Sequence, residues 1–257
     1  MTDMRIVVKV GTTTLAHKTG NLNIKRVEEL CKVLSDLKNA GHEVMLVSSG
    51  AIGMGVGKLP ILERPEDIPG KQAAAAVGQC ELMYVYDKLF GEYNHTVGQI
   101  LLTQDDLDIE VRHRNFCNTI NRLLEYGALP VINENDSVSV DEIQIGDNDT
   151  LSAIVAASVN ADLLIILTDT DGLYTADPRT DPDAELIPVI RELTDDVMKL
   201  GGGSGTKQGT GGMATKLEAA RIAGKAGIDT VIINGANPAA MYNVVDGTGF
   251  TGTRISL

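Results

Sequence analysis

The sequence predicts an α/β protein whose mostly parallel central sheet is covered by helices on both faces. Two observations lead there. Short β-branched runs that stop at glycine or at Asn/Asp clusters alternate along the chain with stretches of helical period. Strands alternating with helices form crossover units, which set neighbouring strands parallel and bury them on both sides.

The elements follow in order. RIVVKVG (5–11) is a buried strand closed by glycine. A helix is expected from Asn23 to Asn39, where Ile24, Val27, Leu30, Cys31, Leu34 and Leu37 recur at helical spacing and Gly41 supplies the stop. EVMLVSSG (43–50) is the next strand; it runs into a small-residue turn from which AIGMGVGK starts a helix. Then come a helix over 70–93, a strand over 96–102, a helix over 112–126 and a strand over 128–132. NENDSVSVDEIQIGDND (133–149) alternates with period two, which predicts a hairpin. A helix over 149–160, the strand DLLIILTD (162–169), a helix before Gly201, a helix over 213–226 and the strand TVIIN (230–234) follow, and a short helix and strand finish the chain. No internal repeat or linker divides it, so residues 1–257 are expected to form a single domain, with lobes over 1–150 and 151–257.

A net charge of −13 argues against nucleic acid and against an anionic membrane surface, since both are bound through Lys and Arg. Cys31, Cys80 and Cys117 are odd in number and widely spaced, which suits neither a disulfide framework nor a zinc site. The N-terminus lacks a basic region followed by an apolar run, and no stretch approaches a membrane span, so a cytoplasmic location is expected.

Open α/β sheets bind ligands beyond the carboxyl ends of their strands. That rule selects KVGTTT (9–14), SSGAIGMG (48–55), NEND (133–136), TDTDG (168–172) and NGAN (234–237), all polar or glycine-rich. Lys9 is the sharpest single residue, a cation in a strand buried on both faces. Either it runs out to solvent along its stem or it waits for an anionic ligand. SSGA is small enough for backbone amides to approach an anion closely, as tight turns often are. The Asn/Asp clusters NENDSV and GDNDT are either Asx turns or a set of carboxylates and amides able to hold an ammonium. TDTDG lacks calcium-loop spacing.

GGGSGTKQGTGGMATK (201–216) is the most unusual stretch. It contains no GxxxxGK[ST] pattern, and its GxGxxA at Gly209, Gly211 and Ala214 does not follow a strand as a dinucleotide fingerprint should. What remains is a glycine-rich loop entering a helix whose first turn carries Thr215 and Lys216, which is either a surface loop or a polyphosphate site. No histidine or cysteine lies in a catalytic pattern. A carboxylate nucleophile is already ionised and needs no base; its attack on phosphorus needs positioning and charge neutralisation instead.

VVKVGTTTL, LVSSGAIGMG, PVINENDSV, GDNDTLSA, ILTDTDGLYTADPR and GTGGMATK, in that order, resemble the amino acid kinase family over essentially the whole chain. The resemblance implies a three-layer αβα sandwich with about eight strands, of which the N-terminal lobe binds the amino acid and the C-terminal lobe binds ATP. It implies ATP-dependent phosphorylation of the side-chain carboxylate of L-glutamate, the first step of proline biosynthesis. Lys9 and Lys216 would flank the transferring phosphoryl and Asp149 would hold both lysines. Ser49, Gly50, Asp136 and Asn148 would bind glutamate. Gly11, Thr168, Asp169 and the loop of Thr210, Gly211, Gly212, Met213, Ala214, Thr215 and Lys216 would hold the nucleotide, as would Lys9, with Mg2+ bound through its phosphates and no direct protein ligand. Proline as feedback inhibitor and a homodimer or homotetramer are further implications. Many relatives carry a C-terminal PUA module; with the sequence ending at Leu257, a form without it is expected. The alternatives are another acceptor on the same fold (acetylglutamate, aspartate, carbamate or a nucleoside monophosphate) or a non-catalytic amino-acid sensor.

Overall fold

The structure is a computed structural model that describes residues 3–17, 21–61, 63–139, 148–202 and 212–257. Among the described residues eight strands form one sheet: β1 (Arg5–Val10), β2 (Glu43–Ser48), β3 (Val97–Leu102), β4 (Leu129–Glu134), β5 (Leu163–Thr168), β6 (Val189–Ile190), β7 (Asp229–Asn234) and β8 (Thr253–Ile255). Their order is β3-β4-β2-β1-β5-β7-β8-β6, and every pair is parallel except β7 with β8. The helices are α1 (Thr12–Leu15), α2 (Ile24–Asn39), α3 (Ala51–Lys58), α4 (Ile68–Gly91), α5 (Gln104–Asp108), α6 (Glu110–Glu125), α7 (Asp149–Ser158), α8 (Asp195–Leu200), α9 (Met213–Lys225) and α10 (Ala240–Val245).

Alternation along the strands builds two cores. Ile6, Val8 and Val10 of β1, Leu46 of β2, and Leu163, Ile165 and Leu167 of β5 face α2, α4 and α10. They meet Leu30, Leu34, Leu82, Tyr86, Phe90 and Met241 there. Val7, Met45, Ile132, Leu164 and Ile166 face the other way, onto Phe116 and Ile120 of α6, Ala153 of α7 and Leu217 and Ala220 of α9. Lys9 shares the parity of Val7, so its side chain leaves the sheet on the side of α7 and α9. Asn133 shares the parity of Leu129 and Val131, on the side of α4.

Gly41 stops α2 as expected, and α4 starts two residues before the expected 70. Asn23 is the N-cap of α2 and accepts from the Arg26 amide at 3.3 Å, and Gly41 beyond its end takes φ +105. Asp67 caps α4, accepting from the Gly70 amide at 2.8 Å. The hairpin expected over 133–149 is not seen in its described part, where Val138 and Ser139 donate backbone amides to the Asn135 carbonyl and close a turn; 140–147 lie outside the described residues. α5, five residues long, and β6, two residues long, give too little periodic signal to be expected from sequence. The three cysteines are free thiols, and burial pushes the Cys31 thiol up, as suits an inert core residue. Among the described residues no helix is long and apolar enough to cross a membrane.

α3 and α4 touch backbone to backbone. A Cβ on Gly55 would lie 1.8 Å from the Ala74 carbonyl oxygen, and one on Gly78 would lie 1.7 Å from that of Ala51. Only glycine permits this crossing, and it fastens the turn at Ser49–Gly50 to the long helix. Gly78→Ala is expected to cost about 2 kcal/mol by overpacking and to lower Tm by about 4–8 °C. Thermal unfolding measures this, and an unchanged Tm contradicts the close crossing.

Candidate active site

The carboxyl ends of β1, β2, β4 and β5 lie at one edge of the sheet, and the segments beyond them bring α1, α3, α7 and α9 to it by their N-termini. Lys9, one residue from the end of β1, does not reach solvent: it is 3% exposed. Its Nζ forms an ion pair with Asp149 Oδ1 at 2.7 Å. Lys216 Nζ donates to the other oxygen, Oδ2, at 3.0 Å, and that lysine too is buried. Thr215 Oγ1 lies 2.8 Å from the same Oδ2 and 2.7 Å from the Gly212 carbonyl oxygen. Asp149 is fully buried and is the first residue of α7, where the helix dipole favours its negative charge.

The two ammonium groups and the carboxylate they share carry one positive charge together, in a chain of net charge −13. Held away from water, that charge acts on an incoming anion more strongly than it would in bulk solvent. Gly50 and Gly212, the N-caps of α3 and α9, have no side chain to cap with, and the Asn148 side chain makes no capping hydrogen bond to α7 among the described residues; helix starts of this kind suit phosphate or carboxylate. Gly50 sits at φ +107, a left-handed conformation that lets the chain turn from β2 into α3. At Gly11 a Cβ would lie 3.6 Å from Lys9 Nζ, in van der Waals contact, so the glycine keeps a side chain from packing against the lysine head.

Beyond the ends of β2 and β4 the strand edge is lined by amides and carboxylates. Asn148 is fully buried; its Nδ2 donates to the Ser48 carbonyl at 3.2 Å and to Asn133 Oδ1 at 2.7 Å. Asn133 Nδ2 in turn donates to Gln79 Oε1 of α4 at 2.9 Å. Ser48 Oγ donates to the Ser49 carbonyl at 3.0 Å, so at the 2.8 Å contact between Ser48 and Tyr86 it is the tyrosine hydroxyl that donates. Asp136 is buried, and burial first, then the nearby Glu134 carboxylate, push its carboxyl up to about 7. Ser139 donates its hydroxyl to Glu134. Asp136 Oδ1 and Asn148 Oδ1 have no partner among the described residues. Two buried acceptors without donors, beside a second carboxylate, fit a ligand that brings N–H donors and positive charge, such as an ammonium.

The structure thus gathers Lys9, Asp149, Thr215 and Lys216 into one cluster, and Ser49, Gly50, Asp136 and Asn148 at the same strand edge. Thr168 ends β5 and is buried; its carbonyl accepts from the Gly235 amide at 2.8 Å and its hydroxyl donates to Asp169 Oδ1 at 3.3 Å. Asp169 is largely exposed, and its ion pair is with Arg179, at 3.9 Å. Gly212, Met213 and Ala214 form the entry to α9, whereas Thr210, Gly211 and Lys207 lie outside the described residues. Among the described residues no three His, Cys, Asp or Glu side chains gather as a metal site. Sequence reasoning does not single out Gln79, Asn133, Ser48 or Tyr86. It selects NEND as a segment but only Asp136 within it; the available signal for Gln79 is a polar side chain in the apolar run AAAAVGQ.

Residues 4–234 match the amino acid kinase family. The chain is 53% identical to the glutamate 5-kinase of Clostridium perfringens (strain 13 / Type A) over 247 residues, 95% of this chain and 92% of that protein. It is 55% identical to the glutamate 5-kinase of Clostridium tetani (strain Massachusetts / E88) over 242 residues, 94% and 91% of the two chains. Among solved structures, the carbamate kinase of Giardia lamblia bound to AMP-PNP superposes with a TM-score of 0.70 over 99% of this chain and 98% of that one at 16% identity, a likeness of fold. The ordered motifs, the eight-stranded αβα architecture and these matches lead to one conclusion: the chain belongs to the amino acid kinase family.

Proposed function

We propose that this chain is a glutamate 5-kinase, transferring the γ-phosphoryl group of ATP to the side-chain carboxylate of L-glutamate to give L-glutamyl 5-phosphate and ADP, the first step of proline biosynthesis. The observation that carries the reading is the buried Lys9–Asp149–Lys216 cluster, two ammonium groups on one carboxylate. A carboxylate oxygen of glutamate forms the new bond to the γ-phosphorus, and the bond from that phosphorus to the β,γ-bridging oxygen breaks, its electron pair leaving with ADP. The nucleophile is ionised at neutral pH, so no side chain need remove a proton, and the reaction does not require a histidine in the cluster.

The work of this chain is then electrostatic and positional. Lys9 and Lys216 approach the transferring group from β1 and α9 and neutralise charge on its oxygens. Asp149 fixes the two ammonium heads at 2.7 and 3.0 Å, so they need not reorganise when the transition state forms. Ser49 and Gly50 hold the acceptor at the start of α3, while Asp136 and Asn148 take its ammonium. Gly11, Thr168, Asp169 and 210–216 hold the nucleotide, which divides the chain into an amino-acid lobe over 1–150 and an ATP lobe over 151–257. Mg2+, bound through the phosphates, would neutralise their charge and orient them. Proline, a carboxylate with a ring ammonium, fits the same Asp136 and Asn148 acceptors and is the proposed feedback inhibitor. A homodimeric or homotetrameric enzyme in the cytoplasm completes the reading.

The orphaned Asp136 and Asn148 oxygens favour an acceptor with a free ammonium over acetylglutamate, carbamate or a nucleoside monophosphate. The pair of lysines on Asp149 favours catalysis over silent sensing. With glutamate, ATP and Mg2+, trapping of the acyl phosphate by hydroxylamine is expected to give the hydroxamate, and acetylglutamate and carbamate are expected to give far less product. No hydroxamate above background rejects the activity.

A further inference from the structure

We propose that Gln79, on α4, is a positioning residue that fixes which end of the Asn148 amide faces the acceptor's ammonium. The proposal rests on the glutamate reading above. A side-chain amide has one accepting and one donating end, and a flip exchanges them. Asn148 Nδ2 spends both protons on the protein, on the Ser48 carbonyl and on Asn133 Oδ1, and this leaves Oδ1 for a ligand. That orientation requires Asn133 to present its oxygen. The Glu134 amide, donating to Asn133 Oδ1 at 2.9 Å, holds one end of that side chain. Gln79 Oε1, accepting from Asn133 Nδ2 at 2.9 Å, holds the other.

The placement of Gln79 is hard to explain by packing. It is buried on the sheet-facing side of α4, among Ala74, Ala75, Leu82 and Tyr86, where an apolar side chain would be the stable choice. Its Nε2 has no hydrogen-bond partner among the described residues, so half of the amide is desolvated without compensation. What the glutamine supplies is the single acceptor that Asn133 Nδ2 uses among the described residues. Without it a buried N–H is orphaned and the Asn133 amide is held at its oxygen end alone, so the orientation that keeps the Asn148 oxygen toward the substrate is weakened. A donor end there would repel an ammonium, so the relay from α4 through β4 to α7 sets selectivity for a free amine rather than reacting with anything itself.

The test is a split between ligands with and without the ammonium. Glutarate keeps both carboxylates of glutamate and lacks the amine, and is assayed as a competitive inhibitor. Gln79→Met is expected to raise the glutamate KM about tenfold, the scale of one orphaned buried donor. It should leave kcat, the ATP KM and the glutarate Ki within about twofold, because those do not pass through the Asn148 amide. Gln79→Glu, which keeps an oxygen toward Asn133, should retain the discrimination between glutamate and glutarate. Should Gln79→Met not fold, Gln79→Asn, too short to reach Asn133, takes its place. Equal weakening of glutamate and glutarate, an unchanged glutamate KM, or loss of discrimination in Gln79→Glu overturns the proposal while the glutamate reading stands. Absence of glutamate turnover in the unsubstituted chain rejects that reading, and this proposal with it.

Discussion

Replacing Lys216 with alanine is expected to lower kcat about a thousandfold, roughly 4 kcal/mol of transition-state stabilisation, while glutamate binding survives. The sign follows from charge. On the proposed reading, the three-residue cluster with Lys216 present offers a positive excess to the incoming phosphoryl group; without it, Lys9 and Asp149 cancel and the excess is gone. The protein should still fold, because Asp149 keeps Lys9 at 2.7 Å and the Thr215 hydroxyl at 2.8 Å. Lys216→Arg is not expected to restore activity: a planar guanidinium neither fits the space of an ammonium nor leaves Asp149 Oδ2 to Thr215 in the same way. Steady-state kinetics gives kcat, and thermal stabilisation by glutamate reports its binding. An unchanged kcat, or glutamate binding that falls in step with kcat, removes Lys216 from the phosphoryl end of the site.

Legibility differs by element and by residue. β1 and β5 can be read because a β-branched run ended by a small or polar residue has few other interpretations, and α2 because its cap, period and terminal glycine agree. Lys9 stands out because a charge inside such a run must find a partner. The partner itself cannot be read: Asp149 opens a helix far along the chain, and only the family resemblance names it. Spacing along the chain says nothing of contacts made across a sheet. Gly55 and Gly78 carry no visible role in the sequence, since a glycine that allows two helices to touch looks locally like any helix-weakening glycine. Gln79 and Asn133 escape for a related reason. Each is an ordinary polar residue in its own segment, and becomes notable only when burial and an exhausted hydrogen-bond inventory are visible together.

The second large effect concerns Asp136. Its carboxyl is raised to about 7, first by burial and then by the Glu134 carboxylate, so the free enzyme exchanges a neutral for a charged Asp136 near neutrality. An ammonium is held well only by the charged form, and the α-ammonium of glutamate stays protonated across this range. kcat/KM for glutamate should therefore rise about tenfold per pH unit below pH 7 and level off above it, and the profile belongs to the Asp136–Glu134 pair as a unit. The stability of the ligand-free protein should run the opposite way. A carboxyl whose folded pKa exceeds its unfolded value binds more protons in the folded state, so its contribution to stability is present at low pH and is lost as pH rises toward about 7. Glutamate should then raise Tm more at about pH 8 than at about pH 6, by supplying the charge that the buried carboxylate lacks. Asp136→Asn, close in size and neutral, is expected to reduce kcat/KM for glutamate about a hundredfold and to flatten both pH dependences, with the ATP KM little changed. A variant that binds glutamate normally, or a wild-type profile with no inflection near neutrality, would separate Asp136 from the ammonium and leave its burial beside Glu134 without a ligand to explain it.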